Sequence, residues 1–178
     1  FNPSSDIAGT YYYIVAGSGG CENDTAQIIV TIDTAVSAGT GPNLDFCDNN
    51  SNSYVLFDTL TGADASGNWY FGGGLFGDNS ATFNPSVNSA GNYYYIVSGP
   101  GVCPDDTVTI TITISNAPVA GTGKTIRICA NENAFLPIDS ITGIYDTGGT
   151  WTLPSSTVIN DENYSLNPSV ETTGNYIY

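Results

Sequence analysis

Residues 1–15, FNPSSDIAGTYYYIV, return at 83–97 as FNPSVNSAGNYYYIV and once more at 166–178 as LNPSVETTGNYIY. Phe1 maps onto Phe83 and Asn84 onto Asn167, an offset of 82 to 83 residues, so the chain is constrained to repeat one supersecondary unit. Residues 1–41 and 83–123 share roughly 24 identities, including Cys21 with Cys103 and Asp24-Thr25 with Asp106-Thr107, a register that compositional bias alone would not hold. The period predicts three pieces: 1–35 as the C-terminal part of one unit, 36–117 as a complete unit, and 118–178 as the N-terminal part of another. The chain shows no initiating Met, charged n-region or apolar h-region at its start, so it is expected to be a window on a longer array whose export signals lie elsewhere.

Within the unit the pattern is that of short strands. DTVTITITI at 106–114 alternates strictly, which places Val108, Ile110, Ile112 and Ile114 on one face and threonines on the other. Its counterpart DTAQIIVTI at 24–32 gives Ala26, Ile28, Val30 and Ile32 as the inward set. GNYYYIVSG at 91–99 is a second strand, with Tyr93, Tyr95 and Val97 sharing a face. YVLFDTL (54–60), NWYF (68–71) and TFNPS (82–86), separated by Gly-rich turns, complete the set. No segment has a 3.6-residue apolar period. The predicted fold class is all-β: tandem antiparallel sandwiches of about 82 residues, with six or seven strands each. TAVSAGTGPN (34–43) and NAPVAGTGKT (116–125) are short, Pro-containing junctions, which predicts collinear units in a semi-stiff rod.

Two basic residues against seventeen acidic ones, and a formal net charge of −15, make nucleic acid and anionic membranes poor partners. No apolar run is long enough for a membrane-spanning helix. With no His, the nucleophilic triads that use it are excluded, and adjacent Asp residues such as Asp105-Asp106 are read as turn formers. The chain is therefore read as no enzyme, with no cofactor and no assigned metal. Oxygen-rich CDNNSNS (47–53) and Asp105-Asp106 offer ligands of the kind calcium takes, but no EF-hand spacing is present. Trp69, Tyr70, Phe71 and Phe76 would form a stacking platform for a glycan if exposed. A Trp recurring as Trp69 and Trp151 is read instead as a core residue between the sheets. The four cysteines fall once per half-unit. Oxidising export, and the fact that Cys47 and Cys103 are the two cysteines of the complete unit, predict a Cys47–Cys103 disulfide, provided both sulfurs reach the same end of the sandwich. Taking 36–40 and 43–47 as successive strands meets that condition.

DASGNW (64–69) and DTGGTW (146–151) each lead through a loop to F/L-N-P-S, then to G-x-Y, and in the complete unit on to a Cys and D-T before the alternating strand. This order resembles the Ig-like repeats of giant cell-surface adhesins of the Bacteroidetes, including those of gliding motility. Gly-x-Tyr resembles the tyrosine corner of Ig-like sandwiches, with Tyr11, Tyr93 and Tyr176 as candidates. The resemblance implies export by the type IX system, an extracellular location at the cell surface, and neighbouring modules, surface glycans or other surface proteins as partners. It also implies O-glycosylation at Asp-Ser/Thr followed by a methyl-bearing residue, which fits Thr25, Thr34, Thr59, Thr107 and Ser140. A structural stalk is the function expected, with a glycan-binding repeat or a subunit of a surface filament or sheath as alternatives.

Overall fold

A computed structural model describes all residues, Phe1–Tyr178. The chain is nearly all-β, with two short 3-10 turns and no α-helix, so no helix is long and apolar enough to cross a membrane. It divides into two compact units, Phe1–Ser115 and Asn116–Tyr178. Residues 1–35 thus group with 36–115 rather than standing alone.

The first unit opens with a hairpin of β1 (Gly9–Val15) and β2 (Asp24–Val30). Its main body is a five-stranded sheet built from β3 (Leu44–Cys47), β5 (Asn68–Phe71), β6 (Gly74–Asp78), β8 (Gly91–Val97) and β9 (Asp106–Ser115), in the order β3-β9-β8-β5-β6. Facing it, β4 (Tyr54–Val55) pairs with β7 (Thr82–Phe83), and a 3-10 turn follows β4 at Leu56–Thr59. The β5–β6 connection is a two-residue turn in which Gly72 and Gly73 have φ of 60° and 83°. Left-handed backbone at both central positions matches strand twist and favours glycine.

Period-2 patterning produces the core. Tyr93, Tyr95 and Val97 are fully buried, as are Ile110 and, on the opposing side, Leu56 and Phe83. Trp69 joins them from β5. Ring contacts lock the layer: Phe83 meets Tyr93 edge-on at 5.5 Å, and Trp69 lies 5.1 Å from Tyr95. Every member of this cluster and of its partly buried fringe lies between Val36 and Ile114.

Three expectations are corrected. The sheet is mixed rather than antiparallel, because β3 runs parallel to β9, with Leu44 opposite Ile112 and Cys47 opposite Ser115. Residues 36–40 form no strand, and only Thr40 bridges, to Thr61. The disulfide fails for the same reason: Cys47 sits beside the end of β9, whereas Cys103 precedes its start. Ten strand residues separate those ends by about 30 Å, against the roughly 7 Å limit for a bridge, and all four cysteines are thiols.

β1 and β2 pair in the same register as β8 and β9, Gly9 to Val30 corresponding to Gly91 to Ile112. The expected inward set of β2 is nevertheless not buried. Ile28 is 65% exposed and Tyr13 71%, because no strands equivalent to β3 and β5 flank this hairpin.

The second unit contains a 3-10 turn at Pro137–Ser140 and a hairpin of β10 (Trp151–Thr152) and β11 (Val158–Ile159). Ile138, Trp151 and Leu166 are buried. Beside them lies an open cleft of about 1100 Å³, lined among others by Ile141, Trp151, Leu166, Tyr176 and Tyr178.

Candidate functional site

The polar residues that recur along the sequence make recurring hydrogen bonds. Tyr93 donates its hydroxyl to the Ser89 carbonyl at 2.8 Å, four residues back, as Tyr11 does to Ile7 at 2.7 Å and Tyr176 to Thr172 at 2.9 Å. In each N-P-S segment the Asn carboxamide oxygen accepts the backbone N–H and the hydroxyl of the Ser two residues on, as Asn84 does from Ser86 at 3.0 and 2.7 Å. Such Asx turns fix the chain before the following strand without any ligand.

Tyr95 is the hub of the complete unit. Its hydroxyl donates to the Asp64 carbonyl at 2.7 Å and accepts the Gly67 N–H at 2.9 Å. Asp64 in turn accepts the Ser37 N–H on its carboxylate at 2.8 Å and donates its own N–H to the Ser37 carbonyl at 2.8 Å. The second unit repeats this set: Tyr178 bonds the Asp146 carbonyl and the Gly149 N–H, and Asp146 exchanges the same two bonds with Val119. In each unit, sheet, loop and incoming chain are thereby tied through two side chains, the tyrosine and the Asp.

The β8–β9 turn is held by a group of side-chain-to-backbone hydrogen bonds. Asp106 accepts the Ala38 N–H on one oxygen at 2.8 Å and the Thr107 N–H on the other at 2.9 Å. Asp105 accepts the Gly99 N–H at 3.0 Å, and the Cys103 N–H closes the turn onto the Pro100 carbonyl at 2.9 Å. Gly101, at φ 55°, packs so closely on the Asp33 carboxylate that a Cβ there would lie 2.1 Å from its Oδ2. Half-buried Cys103 points its thiol at the Asp33 carbonyl at 3.6 Å.

Burial pushes the Tyr93 hydroxyl up to about 12 and also raises Tyr95, where the Gly67 N–H works against the rise. Unfolded tyrosines ionise near 10, so above that pH the unfolded chain has released a proton that the folded chain retains. Stability is therefore complete below about pH 10 and is lost as pH rises through about 12. Urea midpoints across pH 8–11.5 should stay level and then fall above pH 10, and Tyr93→Phe should flatten part of that fall.

Trp69 is fully buried, half-buried Phe71 stacks on Tyr93 and half-buried Phe76 meets it edge-on, so the aromatic group is core and not a flat platform. In the 47–53 segment Asn50 spends its carboxamide on the Asn52 N–H and the Tyr54 hydroxyl. No three Asp, Glu, Cys or His side chains converge closely enough to hold an ion. Thr25, Thr34 and Thr107 are exposed, whereas Thr59 and Ser140 are half-buried in the two 3-10 turns, and the Thr59 hydroxyl donates to the Leu56 carbonyl at 2.7 Å. The Asp of Asp24-Thr25 and Asp106-Thr107 has a structural task of its own, since each accepts the following N–H.

Tyr95 as a hub, the Asp64–Ser37 exchange and the Asp106–Ala38 bond escaped sequence reasoning. Repetition of Asp64 as Asp146 and of Tyr95 as Tyr178 was the available signal. No known protein family and no curated protein matches the chain.

Proposed function

We propose that the chain is part of the stalk of a large extracellular surface adhesin, in which Ig-like sandwiches follow one another and supply reach rather than chemistry. The observation that carries this reading is the recurrence, at the repeat spacing, of whole hydrogen-bond sets: the tyrosine onto the fourth carbonyl back, the Asn turn, and the tyrosine–Asp hub. Selection for a spacer requires that each unit hold its own shape and receive the next chain segment in a fixed way, and those are the tasks these side chains perform. The sheet order β3-β9-β8-β5-β6 facing β4-β7, with a buried Trp on β5 and the Tyr93 corner, supports the Ig-like assignment. The strong acidity keeps such units soluble and apart. Burial of Trp69 removes the main support for a glycan-binding repeat.

Labelling of intact cells of the native source with an antibody against residues 36–117 tests the role. Label along single threads leaving the surface is the expected result, and label confined to the cell interior overturns it. O-linked sugars are proposed on the exposed hydroxyls of Thr25, Thr34 and Thr107, with Thr59 and Ser140 less accessible. Native material should then exceed the bare polypeptide mass, and Thr→Val changes at those three positions should remove the excess. An unmodified mass ends that part of the reading.

A further inference from the structure

The two cysteines of the complete unit lie at opposite ends, and each is placed against the same repeated backbone position. Cys103 directs its thiol at the carbonyl of Asp33, the residue that closes the preceding unit, at 3.6 Å. Eighty-two residues later the counterpart of Asp33 is Ser115, within TISNA aligned on TIDTA. Its carbonyl accepts the N–H of Asp48 at 3.0 Å, and Cys47 is its direct partner across the β3–β9 pair. One carbonyl per unit is therefore the address of both sulfur-bearing segments: that of Cys47 from its own unit, and that of Cys103 from the unit that follows. Adding the two contacts to the Cα-to-next-N span of about 2.4 Å leaves the incoming sulfur no more than about 9 Å from the Cys47 Cα, before any bend shortens the path. With the incoming residue's own Cα-to-sulfur reach of about 3 Å, the two Cα atoms lie within about 12 Å of each other, a range that contains the roughly 4.4–6.8 Å separation of disulfide partners.

We propose that Cys47 of one unit and the counterpart of Cys103 in the next unit form a disulfide, so that each junction is stapled and no bond lies within a unit. It rests on the tandem reading of the repeat and is independent of the adhesin role. Exposed Cys47 attacks first. Its thiolate opens the S–S bond of a disulfide oxidant, a small-molecule disulfide or a disulfide oxidoreductase, and expels one oxidant thiolate. The second cysteine then attacks the Cys47 sulfur of the mixed disulfide and expels the other. Two protein thiols lose two electrons and two protons, and the oxidant leaves as two thiols.

The full chain, lengthened after Tyr178 by its own residues 96–117, completes the unit that begins at 118 and supplies the missing counterpart of Cys103. Incubated folded with oxidised glutathione, it should lose two of its five thiols, the four native ones and the added one, and non-reducing peptide mapping should join Cys47 to the added cysteine. The same treatment of the original chain should leave four thiols, and Cys47→Ser in the lengthened chain should leave its remaining thiols intact. A folded lengthened chain whose added cysteine stays free, or bonds any other cysteine, overturns the proposal. Peptide mapping of the native protein gives a second arm that needs no added segment. Cysteines about 138 residues apart should be joined, whereas free thiols or bonds within one unit sink the idea. A junction bond found in a protein absent from the cell surface would remove the adhesin reading alone.

Discussion

Trp69→Ala should unfold the complete unit under mild denaturant, with a loss of about 3–5 kcal/mol. The side chain is wholly buried and touches Tyr95, so truncation opens a cavity at the centre of the sheet. A unit of this size has about 5–15 kcal/mol in total, so the variant retains little. The more discriminating substitution is Trp69→Phe. The indole N–H of Trp69 has no hydrogen-bond partner, whereas that of Trp151 donates to the Glu162 carbonyl at 3.0 Å. Phe at 69 loses volume but also relieves a desolvated donor, which offsets part of the cost; Phe at 151 breaks a bond. Urea titrations followed by circular dichroism should show a smaller loss for Trp69→Phe than for Trp151→Phe. Equal losses for those two would show that the orphan N–H carries no penalty.

Tyr95→Phe is the second large effect, about 2–3 kcal/mol from the removal of one oxygen atom. The hydroxyl satisfies a donor and an acceptor together, and its loss strands the Gly67 N–H in a buried position. Tyr93→Phe is the internal control. Its partner carbonyl belongs to exposed Ser89, which water can reach, so about 0.5–1.5 kcal/mol is expected. Amide exchange separates the two: the Gly67 N–H should lose protection in Tyr95→Phe and keep it in Tyr93→Phe. Rescue by enlarging Gly67 is not open, because a Cβ there would lie 2.6 Å from the Ile96 carbonyl and from the tyrosine ring itself. The substitution should also loosen the entry of the chain at Ser37, since the same loop carries Asp64.

Alternation by itself determined β8 and β9, and with them the buried set Tyr93, Tyr95, Val97, Ile110 and Ile112. A period of two records which side chains share a face, and burial of one face follows from the hydrophobic effect alone. Recurrence marked Trp69 and Trp151 as core, because a residue kept at one place in a repeat meets the same surroundings, and the Gly-x-Tyr resemblance pointed to the backbone bond that the Tyr93 hydroxyl makes. The direction of β3 was not legible. Period two reads the same in a parallel and an antiparallel pair, so Leu44 and Phe46 face the core either way. Direction decides something else: which end of the unit Cys47 reaches. Tertiary structure set that by carrying residues 36–43 across the sandwich end, where Ala38 is held by Asp106 and Ser37 by Asp64. Those bonds join residues 68 and 27 positions apart, and no local pattern encodes a partner at that distance. Burial of the first hairpin was likewise decided by neighbours, since β1 and β2 carry the pattern of β8 and β9 but have no flanking strands to cover it.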